Sequence, residues 1–348
     1  MKVSAKLFLS DQKWIKPVLV LLFIILTCPN VQGCDKTTNT GKGANIPMKT
    51  YYIGRFSIAV PAEMHEEEGS RSHHLRRVEI DEIEWPEGIN HEKAREVEWN
   101  NFTAEIKKLT PLEGKLTVII KTQDFPDVGK WASGIFYHNL NDGNEEGTWK
   151  VLVDSGQTAV WFTGIPVLVE KENKSSLMIN NIKNIGNSYH ALNSATKKPK
   201  GDWFYLKHGA VNLPYLWQEK SYVRFEGHPL DLKIELEMHE TYTVEKEGLI
   251  EKTIDAIATG YASGVKIKKI RSHKRTVADL NGEEEVLRMT EKGKSSLDFV
   301  WEYNGKENSG EYPRIVISME SPDGNLDEKL KIWDAVLDSM KPMFERKK

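Results

Sequence analysis

Leu230-Asp231-Leu232-Lys233-Ile234-Glu235-Leu236-Glu237-Met238 places an apolar residue at every second position. Side chains alternate between the two faces of a pleated strand, so this stretch predicts a strand with one face buried and one wet. The same alternation returns in Leu297, Phe299, Trp301 and Tyr303, and again in Ile315, Ile317 and Met319. Strands that follow one another through short turns pair antiparallel. Helical spacing brackets them: Ile250, Ile254, Ile257 and Tyr261 share one helical face, and so do Leu330, Trp333, Leu337 and Met340. Asn325 or Asp327 stands where the last helix needs a cap.

The first half of the chain runs in the same order. Val78 and Ile80 alternate, Trp99, Phe102, Ile106 and Leu109 share a helical face, and Trp149, Val151 and Val153 alternate again. Met178, Ile182, Ile185, Tyr189 and Leu192 close that half with a helix. Each half also opens on a short apolar stretch ended by proline, Phe56-Ser57-Ile58-Ala59-Val60-Pro61 and His208-Gly209-Ala210-Val211-Asn212-Leu213-Pro214. Strands, helix, strands, helix, twice over, predicts an α+β fold from a duplication. The expectation is two similar domains, each a mostly antiparallel sheet with helices packed on one face.

Punctuation in the sequence divides the chain. Residues 1–33 form a leader and 34–50 a small, polar tether without periodicity. Residues 51–195 form the N-terminal domain. A hinge at 196–201 carries Lys197-Lys198-Pro199-Lys200-Gly201, and 202–348 form the C-terminal domain.

The leader has Lys2, Lys6, Lys13 and Lys16, then an apolar run from Val18 to Leu26, then Val31-Gln32-Gly33-Cys34. That order of parts is a secretory signal, and the run is too short to span a bilayer, which takes about 18 apolar residues. A small residue directly before Cys resembles the end of a bacterial lipoprotein signal, implying cleavage after Gly33 and acylation of Cys34. Cys28, behind Thr27, fits less well. Asp35 resembles an inner-membrane retention signal. The expected place is periplasmic, lipid-anchored at the inner membrane.

The leader takes four Lys and one Asp from totals of 48 Lys+Arg and 51 Asp+Glu, so residues 34–348 carry 44 and 50, a net charge of −6. That balance argues against nucleic acid or an anionic lipid surface as the main partner, since both reward basic patches. With Cys34 acylated no thiol remains for a disulfide, so packed cores must hold the fold.

No Gly-x-Ser-x-Gly elbow, phosphate-cradling Gly loop or Cys pair occurs. His91-Glu92 and His239-Glu240 begin a zincin-like motif, but Arg95 and Thr243 stand where the second His belongs. His65-Glu66-Glu67-Glu68 with His73-His74 is the one cluster of metal-capable residues, and Gly69, Ser70 and Ser72 make it read as a solvated acidic loop. Glu145-Glu146 and Glu283-Glu284-Glu285 read as acidic turns, alternatively as a surface for a cationic partner. Trp85, beside Pro86, and Trp217, near Pro214, fall near predicted loops, where partial burial is the expectation and an exposed interface anchor the alternative. No catalytic residue, cofactor or metal is expected, and a binder rather than an enzyme is the reading.

The order of segments in the second half also carries a resemblance. Gly282-Glu283-Glu284-Glu285-Val286-Leu287-Arg288, Phe299-Val300-Trp301-Glu302-Tyr303-Asn304-Gly305, Pro313-Arg314-Ile315-Val316-Ile317-Ser318-Met319 and Trp333-Asp334-Ala335-Val336-Leu337-Asp338-Ser339 follow in turn. This resembles the C-terminal domain of immunity proteins that neutralise type VI secretion phospholipase effectors, and Tyr52–Pro61 resembles the start of their N-terminal domain. The resemblance implies a 1:1 complex with a cognate phospholipase, whose active site or lid it blocks, and a membrane link through Cys34. It assigns no contact residues. The alternatives are an envelope enzyme without a recognisable motif and a ligand-binding scaffold with an apolar cavity.

Overall fold

The computed structural model describes residues 46–85, 88–109, 118–138, 146–192, 198–199, 201–215 and 218–346, with the backbone alone at 256 and 258–263. The leader, Cys34, Asp35, most of the tether, Glu145 and Trp217 lie outside the described residues. The first half holds β1 (Met48–Ile53), β2 (Phe56–Pro61), β3 (His65–Glu66), β4 (Ser72–Leu75), β5 (Val78–Glu84), α1 (His91–Lys108), β6 (Ile119–Asp124), β7 (Trp131–His138), β8 (Glu146–Asp154), β9 (Thr158–Gly164), β10 (Val167–Leu168), α2 (Glu172–Ser188) and β11 (Tyr189–Ala191). The second holds β12 (Trp203–Tyr205), β13 (Gly209–Asn212), β14 (Glu219–Glu226), β15 (Lys233–His239), α3 (Leu249–Ser263), β16 (Lys266–Val277), β17 (Leu280–Glu291), β18 (Lys294–Tyr303), β19 (Arg314–Pro322), α4 (Leu326–Ser339) and β20 (Lys341–Pro342).

One antiparallel sheet runs through both halves in the order β16-β17-β18-β19-β15-β14-β4-β5-β9-β8-β7-β6. Read outward from its middle, each half contributes the same series: β4, β5, β9, β8, β7, β6 on one side and β14, β15, β19, β18, β17, β16 on the other. α1 corresponds to α3 and α2 to α4. The duplication read from the sequence is therefore a pseudo-twofold in topology, with β4 paired to β14 at its centre through Ser221↔His73 and Tyr222↔Ser72.

The opening hairpins are exchanged. β1 and β2 form a small sheet with β20, and their Ile53, Phe56, Ile58 and Val60 sit in one core with Phe299, Trp301, Trp333 and Leu337 of the second half. β12 and β13 pair with β11, and Phe204, Leu206 and Val211 enter the core of Phe162, Met178, Ile182 and Ile185 in the first half. The strand pair 48–61, expected at the head of the N-terminal unit, thus completes the opposite core. The segment expected as a hinge at 196–201 is one of several links between halves that also share a continuous sheet.

The helices divide between the two faces. α2 and α4 lie on the inner face with the hairpins, where Val151, Val153, Phe299 and Trp301 point. α1 lies on the outer face, where Trp99 and Phe102 pack with Trp85, Leu152, Trp131 and Trp161. Trp85, expected partly buried, is 8% exposed. α2 ends at Ser188, so Tyr189 begins β11 and Leu192 follows it. Leu232 is buried just ahead of β15, and Leu109 caps α1 half out in solvent. Asn325 occupies the cap position of α4 in a left-handed conformation without a side-chain cap bond.

α3 differs from expectation in phase. It buries Leu249 and Thr253 against the sheet, whereas Ile254 is 57% exposed and Ile250 and Ile257 are half-buried. The apolar stripe read as its packing face is turned partly outward.

Candidate functional site

Strand alternation decides what the outer face presents. On β14 the residues Ser221, Val223 and Phe225 point inward, so Lys220, Tyr222 and Arg224 point outward. On β15 they are Glu235, Glu237 and His239, on β19 Arg314, Val316, Ser318 and Glu320, and on β5 Glu79, Asp81 and Ile83. α1 sits on this face over the first half. α3 sits over the second, its Ile250 amide held by Glu283 Oε2 at 3.0 Å and its Lys252 against Glu302 at 3.4 Å. Between them, β5, β4, β14, β15 and β19 form a polar strip across the pseudo-twofold.

Ion pairs stiffen the strip. Arg224 bridges Glu67 at 3.0 Å and Glu235 at 2.5 Å, linking loop, β14 and β15. Burial alone opposes the charge of Arg224, yet Glu235, Tyr222 and Glu67 hold its pKa above the ordinary value. Burial, then Glu235, pushes the Tyr222 phenol up to about 12. Arg314 donates to Glu302 at 2.9 Å and approaches His239 Nε2 at 3.1 Å. Burial and then Lys220 lower His74.

Several carboxylates here lack such support. Burial and the neighbouring Glu79 raise Asp81, and burial and Glu235 raise Glu320. Asp298 faces Glu320 across the β18–β19 pairing, is 5% exposed, and leaves Oδ2 without a hydrogen-bond partner among the described residues. The same is true of Glu285 Oε2. Burial, then Glu320, pushes Asp298 up to about 7. The strip is thus acid-leaning, preformed and strand-borne, which suits a partner that brings cationic and hydrogen-bonding groups.

Other sequence candidates resolve differently. The His65–Glu68 stretch is not a solvated loop: Glu66 pairs with Arg71 at 2.5 Å, Glu67 with Arg224, and His73 is buried. Among the described residues no group of His, Cys, Asp or Glu stands where it could hold a metal. Glu283-Glu284-Glu285 is not a turn but part of β17. Glu284 is 0% exposed and receives Arg271 at 2.9 Å, Arg275 at 3.1 Å and the Trp333 indole at 3.0 Å. It joins β16, β17 and α4 and is unavailable to a partner. Glu146 opens β8.

At the pseudo-twofold, His73 Nδ1 lies 3.0 Å from Ser221 Oγ, a contact that resembles half of a hydrolase dyad. Both residues are 2% exposed, packed under Phe204 and Gly54, and burial, then Arg71, lowers His73 well below its ordinary value. Beside them Arg55 donates to Glu219 at 2.7 Å, and burial pushes Glu219 up against the pull of Arg55. The cavity at this point is about 20 Å³, room for a water molecule and not for a substrate.

Residues 204–343 match the model of the Tle cognate immunity protein 4 C-terminal domain. That match lies within the second half of the chain. The matched segment includes β13 and most of β12, a hairpin that packs in the other half. No curated protein matches the chain. Among solved structures, the apo immunity protein TplEi of the type VI secretion system of Pseudomonas aeruginosa is similar with a TM-score of 0.68 and 18% identity, covering 85% of this chain and 97% of that one. A Tle4–Tli4 complex matches with the same values. TplEi bound to an "L" peptide matches with a TM-score of 0.63 and 17% identity, over 85% and 98%. Both halves of the fold are therefore shared with these proteins.

No sequence signal pointed to the strip, because it is assembled from strands of both halves and its residues are ordinary outward-facing positions.

Proposed function

We propose that this protein is an immunity protein that binds a type VI secretion phospholipase effector 1:1 and inhibits it, without catalysis of its own. The observation that carries the reading is the Tli4 family match over residues 204–343, on a fold whose relatives include a partner of Tle4. The acid-leaning strip between α1 and α3 is the docking face, because it spans both halves and because its Asp81 and Glu320 form no ion pair among the described residues. Inhibition takes place in the periplasm, and acylated Cys34, followed by Asp35, holds the protein at the inner membrane. No helix among the described residues is long and apolar enough to cross a membrane. Confinement there raises the effective concentration where a phospholipase acts.

The test is co-purification with a candidate type VI phospholipase effector, then lipase activity on a soluble ester at increasing inhibitor. The expected result is a stoichiometric complex and loss of activity at equivalence. Undiminished lipase activity in excess inhibitor overturns the function. E79K/D81K, charge reversals at half-buried Glu79 and exposed Asp81 on β5, should raise the inhibitory concentration by about tenfold or more with the fold retained. Unchanged inhibition by that variant moves the interface elsewhere.

A further inference from the structure

One row of outward-facing residues crosses the pseudo-twofold on the outer strip. Tyr222 of β14 stands opposite Ser72 of β4 on one side and Glu237 of β15 on the other. β4 pairs with β5 through His74↔Glu79, and the same register carried two residues further sets Ser72 against Asp81. Asp81, Ser72, Tyr222 and Glu237 therefore follow one another across four strands, at a spacing of about 4.8 Å. Ser72 is the smallest of them. It makes a low point between the Asp81 carboxylate and the Tyr222 ring, whose strands lie about 10 Å apart.

The cations of this chain around the row are engaged elsewhere. Lys150 lies over the rings of Phe102 and Trp161, at 5.2 and 5.1 Å. Arg224 bridges Glu67 and Glu235, and Lys220 leans toward Glu237 at 3.9 Å. Asp81 is exposed and forms no ion pair among the described residues. Tyr222 is half-buried with its hydroxyl bonded to Glu235, which holds the ring in place. A tyrosine kept for packing alone would sit among apolar side chains. This one has a serine and two glutamates.

We propose that the low point over Ser72 seats one arginine of the effector, its guanidinium stacked on the Tyr222 ring and hydrogen-bonded to Asp81. The assignment rests on the reading of the strip as the docking face. A planar guanidinium lies on an aromatic ring and still presents its edge N–H groups to a carboxylate, whereas an ammonium acts as a point charge. A metal ion does not suit the place, since among the described residues no three His, Cys, Asp or Glu side chains converge to hold one. The seat also joins the two halves at the middle of the strip, and interface energy concentrates on a few central aromatic and arginine anchors.

The test compares variants for inhibition of a candidate type VI phospholipase effector on a soluble ester, with Tm measured for each. Y222F keeps the ring and should inhibit within about twofold of wild type. Y222L keeps apolar bulk without a π face and should raise the inhibitory concentration by about tenfold. D81N should do the same, and so should S72L, which fills the low point and leaves both walls intact. Alanine substitution of each surface arginine of the effector then locates the guest. One of them should weaken binding to wild type by about tenfold and leave binding to Y222L unchanged. Wild-type protein that leaves the lipase active overturns the function, and the seat with it. Wild-type inhibition matched by Y222L and S72L overturns the seat alone, as does a set of effector arginines none of which couples to Tyr222. Loss confined to variants with a lowered Tm, while D81N inhibits as wild type does, also overturns the seat.

Discussion

Gly54 and Tyr205 exchange backbone hydrogen bonds, at 2.9 Å from the Gly54 amide and 2.7 Å from the Tyr205 amide. One residue belongs to the turn of the β1–β2 hairpin and the other ends β12, so this bridge is where the two exchanged hairpins cross. Two further polar contacts surround it, Arg55 to Glu219 and His73 to Ser221, each joining residues far apart in sequence. The crossing makes the two halves mutually dependent.

Halves cut at residue 197–201 should therefore not fold alone. The second half without β1 and β2 loses Ile53, Phe56, Ile58 and Val60, all 2% exposed or less, from its core. At about 1.5–3 kcal/mol for each such side chain, the loss matches the whole stability of an ordinary domain. Each half expressed separately should give the narrow, poorly dispersed amide spectrum of an unfolded chain, and co-expression of both should restore the fold. A separately expressed half with cooperative thermal unfolding contradicts the exchange.

Gly54 has a φ of +54°, and a Cβ there would meet Ser221 Oγ at 2.8 Å. Gly54→Ala pays for both the left-handed backbone and the clash, and should cost about 1–3 kcal/mol. Denaturant unfolding measures it. Gly69, with a φ of +71° but open space around it, gives the comparison: Gly69→Ala should cost about 1 kcal/mol, from the backbone alone.

Glu284 holds two arginines of β16 and the indole of α4 while fully buried. Glu284→Ala leaves Arg271 and Arg275 short of a partner and should destabilise by about 3–5 kcal/mol. Glu284→Gln keeps the acceptor for the Trp333 indole and should cost less. Tm should fall in the order Ala below Gln below wild type; equal Tm for all three shows that Asp334 alone satisfies the arginines.

Local pattern made much of this fold legible, and non-local pairing hid the rest. Leu297, Phe299 and Trp301 announced β18, and Trp333 and Leu337 announced α4, because alternation and helical spacing are set within a few residues. Glu283–Glu285 looked like a turn because the arginines that neutralise Glu284 come from β16 and from no nearby position. Ile254 looked buried because Ile250, Ile254 and Ile257 fit a helical face as well as Leu249 and Thr253 do. Only the sheet beneath chooses between those phases. Hairpin exchange left no mark at all, since a strand carries the same apolar pattern whichever core receives it. The outer strip was invisible for the related reason that partner-facing polar residues resemble solvated ones.

Asp298 gives the strip a pH signature whose sign can be worked out. Burial, and then Glu320 opposite, raise its folded pKa to about 7, far above the ordinary carboxylate value that the unfolded chain keeps. Between those two values the folded protein holds a proton that the unfolded chain has released. Stability from this group is therefore complete below about pH 4 and is lost as pH rises to about 7. Asp298→Asn replaces the protonated acid with a neutral group of the same shape. The variant should match wild type in acid and exceed it at neutral and higher pH, by an amount on the order of 1–3 kcal/mol. Urea unfolding of both proteins across that range measures the difference. A constant gap between the two curves shows that Asp298 finds a counter-charge in solution. A gap that instead closes when the effector is bound identifies that counter-charge as a cationic side chain of the partner.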